Sequence, residues 1–303
     1  MDKEKNKGKK VVQISILAKV AGNVNADEVI GNRATLKKMY SSDGEVFPFV
    51  SARAVKFAIR EALRNKGHEI DPYIMKGDQM MDSGDPTRYI DNDIFGYMCA
   101  PKKERGAKGE IAHRRQAPVA LSYFKALRNT PIKSEFAARF PRVGSEGENP
   151  VPFEIEVAEF TGRLNCLIYD HIGRKSDEEK TEWSIDTKKR LERIRDFLSV
   201  FLTPTYVLPR RTNSLNIPEY YCSLVVLSDH GPLPVYQYLD YVIKDGNFQL
   251  DLEKLNMMFS RDEIKNVMGS YLVDYQQTVN KDVKGIKLSP LNSVIDEILK
   301  FLE

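Results

Sequence analysis

The chain has 303 residues, of which 42% are hydrophobic and 10% aromatic, with 46 Lys and Arg against 43 Asp and Glu for a formal net charge of +3. That composition supports a packed core in one large or two modest domains and excludes a globally disordered chain. No apolar run approaches the roughly 20 residues of a membrane-crossing helix, and no signal-peptide core follows the charged MDKEKNKGKK start, so a cytoplasmic protein with no membrane partner is expected.

Charge is unevenly spread. Residues 1–66 carry 14 Lys and Arg against 7 Asp and Glu, whereas residues 229–303 carry 8 against 12. A basic end and an acidic end suit an anionic polymer or head-to-tail association of copies. Residues 1–10 supply part of the excess as a disordered basic tail. The cysteines, Cys99, Cys166 and Cys222, are isolated from one another and from histidine, which argues against zinc or a disulfide framework and for thiols in a reducing compartment.

Residues 11–20, VVQISILAKV, read as a first strand with Gln13, Ser15 and Lys19 at period two. AGNVNADEVIGNRATLKKMY follows as a long loop rich in side-chain amides. The segment SARAVKFAIREALRNK, residues 51–66, predicts a helix with Ser51 as N-cap and an apolar stripe of Val55, Ala58, Ile59 and Ala62. Arg60, Arg64 and Lys66 suit its C-terminal dipole and Gly67 its stop. Residues 68–150 are irregular, with YFKAL and SEFAARF as short helices, and are too long for a plain loop; they read as an inserted subdomain.

Residues 152–169 alternate apolar and polar, with Phe153, Ile155 and Val157 on one face; Thr161-Gly162 leaves either one bent strand or a hairpin of two. A helix is predicted over 186–202, burying Leu191, Ile194, Phe197, Leu198 and Phe201 and exposing Lys188, Lys189, Arg190, Arg193 and Arg195. A proline-bounded basic loop (203–219) leads to a strand, YYCSLVVLS, at 220–228. The remainder reads as mostly helical, closing on a helix with Ser289 as N-cap, Pro290 in first position and a stripe of Leu291, Val294, Ile295, Ile298 and Leu302. The order is βαββαβ, an α+β, ferredoxin-like arrangement shared with the RNA recognition motif (RRM). It carries a large insertion after the first helix and a helical C-terminal extension.

The sequence holds no GxxxxGK[ST], GxGxxG or GxSxG, and His68, His113, His171 and His230 are scattered. No cofactor is expected. GDQMMDSGDPTRYIDND gathers Asp78, Asp82, Asp85, Asp91 and Asp93; its spacing fails a calcium loop, so it reads as an acidic, turn-rich surface. Asp27 and Asp43 raise a second possibility, metal-dependent RNA cleavage. Nucleic-acid features lie in loops rich in Asn, Ser, Arg and Lys, which suit phosphates and 2′-hydroxyls. These are Asn23 to Lys38, a helix face of Arg53, Lys56 and Arg60, Lys102 to Arg115, and Arg210 to Asn213. The aromatic octapeptide with which such sheets read bases is absent, so the sheet is not expected to read bases in the usual way. A plain protein-interaction domain with solvated cations is the remaining alternative.

GNVNADEVIGN followed by FPFVSARAVKFAIREAL resembles the opening of the DevR-type Cascade backbone proteins of CRISPR systems. DNDIFGYM resembles their aspartate-phenylalanine-glycine segment, and RRQAPVALSYFKAL, FEIEVAEFTGRL and RRTNSLNIP follow in the family's order, so the resemblance spans about residues 11–230. It implies a modified RRM-like palm at 11–67 and 151–230, inserted fingers at 68–150, a thumb-like loop, and the extension at 231–303. It also implies a non-catalytic subunit, I-B-like in type, whose copies line up along the CRISPR RNA spacer beside other Cascade subunits and display it to a target DNA strand. Carried over, Gly22, Asn23, Asn25, Gly31, Asn32 and Arg33 fall in the segment near the RNA backbone. Ser51, Arg53 and Lys56 start the helix against it, Arg114 and Arg115 end the fingers, and Arg210, Arg211, Asn213 and Ser214 form the loop approaching the strand. Lys19, Lys37, Lys38 and Arg60 complete the candidate RNA contacts. The chain departs from the family in the lead into the last loop, here TPTYVLP instead of glycine-rich.

Overall fold

The computed structural model describes residues 9–20, 29–76, 79–99, 113–139, 151–177, 179, 181–209, 215–265, 267–277, 279 and 283–303. The principal elements are β1 (Val11–Val20), β2 (Lys38–Tyr40), β3 (Val46–Val50), α1 (Ala52–Asn65), α2 (Ile90–Phe95), β4 (Val119–Leu121), β5 (Phe124–Ala126), β6 (Lys133–Arg139), β7 (Val151–Val157), β8 (Phe160–Tyr169), α3 (Thr187–Leu202), β9 (Glu219–Ser228), α4 (Leu252–Met258), β10 (Gly269–Asp274), β11 (Lys287–Leu288) and α5 (Leu291–Leu302). The fold is α+β. A nine-stranded sheet runs β11-β10-β9-β1-β8-β5-β3-β2, with β4 also on β8. A second sheet joins β6 and β7 to the short strands Arg33–Ala34 and Val29–Ile30. No helix among the described residues is long and apolar enough to cross a membrane.

β1 sits at the centre, antiparallel to both β8 and β9. One of its faces, with Val12, Ile14 and Ile16, packs under the helices, whose stripes supply Ile59 and Leu63, Phe197 and Phe201, and Val294 and Ile298. The other face is covered too. Leu17, Leu224 and Val226 meet Leu239, Leu255 and Met258 from the C-terminal part of the chain. Gln13 and Ser15, the polar residues at period two, are therefore each 1% exposed. Gln13 survives burial because both its amide ends are paired: Nε2 donates to the Leu233 carbonyl at 2.8 Å, and Oε1 accepts from the Leu233 N–H at 2.6 Å. The Ser15 hydroxyl donates to the Asn165 side chain at 3.0 Å.

α1 forms as its sequence dictates. Ser51 Oγ accepts from the Ala54 N–H at 3.3 Å, the stripe is buried, and Gly67 takes the left-handed φ of 95° that ends the helix. α3 starts on Asp186, whose carboxylate accepts from the Lys189 N–H at 2.9 Å.

Several expectations are corrected. YFKAL and SEFAARF contribute strands β5 and β6, because segments so short cannot nucleate an isolated helix while antiparallel partners lie alongside. The 152–169 run is two strands, yet they do not form a hairpin with each other: β7 pairs with β6, and β8 pairs with β1. The C-terminal part is not mostly helical, since β10 extends the main sheet from β9 and Tyr241–Lys244 pairs with Asn247–Leu250. Pro290, rather than Ser289, is the N-cap of α5, and the Ser289 hydroxyl is buried without a partner among the described residues. Arg190 and Arg193, expected on the exposed face of α3, are buried. Cys166 and Cys222 are buried thiols and Cys99 is partly covered.

Candidate nucleic-acid interface

Ser51 caps α1, Arg53 and Lys56 lie in its first turns, and Arg60 follows one turn later along the helix. Arg53 is exposed. Lys56 lies over the Phe95 ring, its ammonium 5.1 Å from the centroid, and burial, followed by the Arg60 cation, pushes its pKa down. Arg60 shares that ring and donates from Nε to Asp91 Oδ2 at 3.1 Å. Of this group, Arg53 is the side chain presented to solvent.

Among residues 19–38, Lys19, Arg33 and Lys38 meet counter-charges from β7 and the residues just after it. Glu159 pairs with Lys19 at 3.2 Å, Glu154 with Arg33 at 3.2 Å, and Glu156 with Lys38 at 2.8 Å. Arg33 also donates to the Ser134 hydroxyl. Lys19 and Arg33 are only partly covered, and exposed pairs are worth at most ~1 kcal/mol, so phosphates can displace those carboxylates. Lys38 is held more firmly, because Glu156 also accepts from the Leu36 N–H at 3.0 Å. Asn32 is exposed, its carbonyl accepting from the Glu154 N–H at 3.0 Å. Lys37 is half-buried. Gly22, Asn23, Asn25, Asp27, Asp78, Arg210, Arg211, Asn213 and Ser214 lie outside the described residues, as do residues 102–112. Asp43 is in a turn, accepting from the Ser41 hydroxyl, which holds its carboxyl below the usual range.

Arg115 is corrected. Its side chain is fully covered and its guanidinium is committed to the protein. Nε donates to the Asp93 carbonyl at 2.9 Å, Nη2 to Asp93 Oδ1 at 2.7 Å and the His171 carbonyl at 2.9 Å, and Nη1 to Glu179 at 2.8 Å and the Arg174 carbonyl at 3.1 Å. Trp183 lies against its plane, 4.6 Å away. A cation with every donor direction satisfied inside the fold has none left for phosphate. Its neighbour Arg114 is exposed.

Asp93 is the other half of this hub. Its second oxygen accepts from Arg193 Nη1 at 2.8 Å, and both oxygens accept from the Gly173 N–H at 3.0 Å. Arg193 also donates to the Pro86, Thr87 and Arg88 carbonyls at 2.8, 2.7 and 3.4 Å. Asp91 accepts from the Asp71 N–H at 2.9 Å. The DNDIFG segment is thus an internal clamp joining α2 to α3 and the β8–α3 connection, where an acidic surface had been expected. Gly96 closes it with φ 70°; a Cβ there would stand 2.5 Å from the Arg115 carbonyl. Among the described residues no cluster of three or more His, Cys, Asp or Glu is arranged to hold a metal ion.

Two surface features were missed from sequence. A cavity of about 690 Å³ at the start of β1 and end of β8 is lined by Lys9, Lys10, His171, Arg174, Lys175 and His230, with Asp170 and Asp177 as partial counter-charges. A smaller one, about 270 Å³, opens on the outward face of β5 and β8 beside Tyr123, Lys125 and Arg163. In sequence, Lys125 and Arg163 are single cations in apolar segments; only strand pairing sets them opposite each other.

Residues 16–245 match the family model described as CRISPR-associated negative auto-regulator DevR/Csa2. The chain belongs to this family. No curated protein sequence matches. Among solved structures, the fold is similar to that of a chain from a CRISPR RNA-guided surveillance complex, with a TM-score of 0.59 at 15% identity over 96% of this chain and 98% of that one. A chain from such a complex in a pre-nicking state gives 0.61 at 11% identity over 97% and 100%. The DevR/Csa2 membership expected from the ordered motifs holds, and the match includes both the Asp93–Arg115 clamp and the start of α1.

Proposed function

We propose that this DevR/Csa2 protein is a non-catalytic, CRISPR RNA-binding backbone subunit of a type I, I-B-like Cascade, acting in the cytoplasm in antiviral defence. Copies bind head to tail along the spacer, beside other Cascade subunits, and hold it for pairing with a target DNA strand. The observation that carries this reading is the likeness to surveillance-complex chains over nearly the full length of both partners, at a TM-score near 0.6. A fold shared from end to end supports a shared role in the assembly more strongly than a shared module would.

In this reading the palm is the βαββαβ set formed by β1, α1, the β4–β5 pair, β8, α3 and β9. The division into a tail (1–10), palm (11–67 and 151–230), fingers (68–150) and extension (231–303) is kept with one change. Residues 119–126 belong to the palm because they pair with β8. β7, although within 151–230, pairs with β6 and the strands Arg33–Ala34 and Val29–Ile30 in a second sheet, outside the palm sheet. RNA runs past the α1 start at Arg53, the exposed Arg114, the exchangeable Lys19 and Arg33, and the 210–214 loop.

The test is to purify the full chain, measure absorbance at 260 nm, and sequence the nucleic acid that co-purifies. RNA of repeat-spacer origin, ladder-like oligomers on it, and binding that weakens as salt rises are expected. A monomer free of RNA that ignores single-stranded RNA at low salt overturns the proposal.

A further inference from the structure

The outward face of β5 and β8 presents the exposed Tyr123 and Lys125, the latter with its ammonium 5.5 Å from the Phe47 ring centroid, beside the partly covered Arg163. Lys125 and Arg163 stand directly opposite each other on these antiparallel strands, a placement in which like charges destabilise a sheet. Neither forms an ion pair with a described carboxylate. Arg163 donates to the Leu239 carbonyl at 2.9 Å. The carboxylate whose field reaches it, Asp240, is already held by Arg128 at 2.9 Å and Lys254 at 2.5 Å. Three cations thus share one carboxylate, and Lys125, opposite Arg163, has no carboxylate partner among the described residues, so an added polyanion relieves the surplus.

An aromatic platform adjoins them. Tyr123 stacks on Phe49 with centroids 4.9 Å and planes 26° apart, yet remains 47% exposed. Met39, Leu127 and Asn165 complete the cavity wall beside it. A solvent-facing ring next to unneutralised cations is the pairing that single-stranded nucleic acid exploits: the base stacks and the phosphate finds its charge. A peptide partner would need carboxylates and apolar side chains in a fixed order; a nucleotide brings both groups in one unit.

We propose that this face binds single-stranded RNA, with a base stacked on Tyr123 and the adjoining phosphate between Lys125 and Arg163. The proposal rests on the RNA-binding reading above and adds a sheet-face contact to it, made without the usual aromatic octapeptide.

The test uses the full-length protein and a fluorescent uridine homopolymer at low salt, with photocrosslinking of a 4-thiouridine-containing strand as a second readout. Tyr123→Ala weakens binding about ten-fold, whereas Tyr123→Phe stays near wild type because the stacking surface persists. Lys125→Glu weakens binding and flattens its salt dependence; Lys125→Arg does neither. In the wild type, crosslinks map to the peptide carrying Tyr123. Wild-type RNA binding that Tyr123→Ala and Lys125→Glu leave unchanged, or crosslinks that all fall elsewhere, overturn this proposal and spare the broader reading. A wild type that does not bind RNA removes both.

Discussion

Asp93 is the carboxylate that Arg115, Arg193 and the Gly173 N–H share, and its removal has a clear expected cost. Asp93→Ala leaves Arg115 and Arg193 buried beside each other without their shared carboxylate. Breaking a buried pair in this way costs about 3–5 kcal/mol, to be read as a lower urea midpoint with an unchanged slope. Gly96→Ala attacks the same clamp through the backbone, combining a strained positive φ with a close approach to the Arg115 carbonyl. It should cost at least ~1–3 kcal/mol and reduce soluble yield. Arg53→Glu is the contrast: its side chain is exposed, so the unfolding midpoint stays put while RNA affinity falls. The difference between these arginines was not legible in sequence. Arg114 and Arg115 are adjacent and identical in type, and what separates them is partners 22, 56 and 64 residues away.

Among elements, α1 was legible to its ends because everything that fixes it is local: a cap, a stripe at helical spacing and a stop. Ser51→Ala should therefore destabilise the protein by ~1 kcal/mol, seen as a small fall in melting temperature. β5 and β6 were misread because three to seven residues with mixed spacing fit either a helix or a strand, and the partner decides. The acidic strand β7 and its neighbour carry a pH-dependent tie. Burial alone would raise the Glu156 pKa, but hydrogen bonds from Lys38 and the Leu36 N–H outweigh it and hold the carboxyl below its usual range. A depressed folded value means that the stabilisation is complete above the unfolded pKa, about 4.3, and is lost as pH falls through the folded value. The protection factor of the Leu36 amide, its exchange rate relative to an unstructured amide at the same pH, should therefore fall as pH drops below about 4.3, and Glu156→Gln should blunt that dependence.

At the scale of the molecule, the α+β class and the succession of strands around α1 and α3 were readable, while sheet order and the second covered face were not. Gln13 shows why. It is a polar residue at period two, and only the distant Leu233 backbone reveals that the C-terminal part lies over it. Removing residues 229–303 should uncover Gln13, Leu17 and Leu224 and yield an insoluble chain, checked by the soluble fraction after expression. The position of β1 has a further consequence for how the molecule is made. The first long strand to leave the ribosome is the middle of the sheet, and its two flanking strands begin at Phe160 and Glu219. Contacts so far apart in sequence form slowly, so more than half of the chain must be synthesised before that strand gains either neighbour. A product terminated before Phe160 consequently leaves its central strand with neither flanking partner, and interrupted translation there exposes both edges of that strand at once.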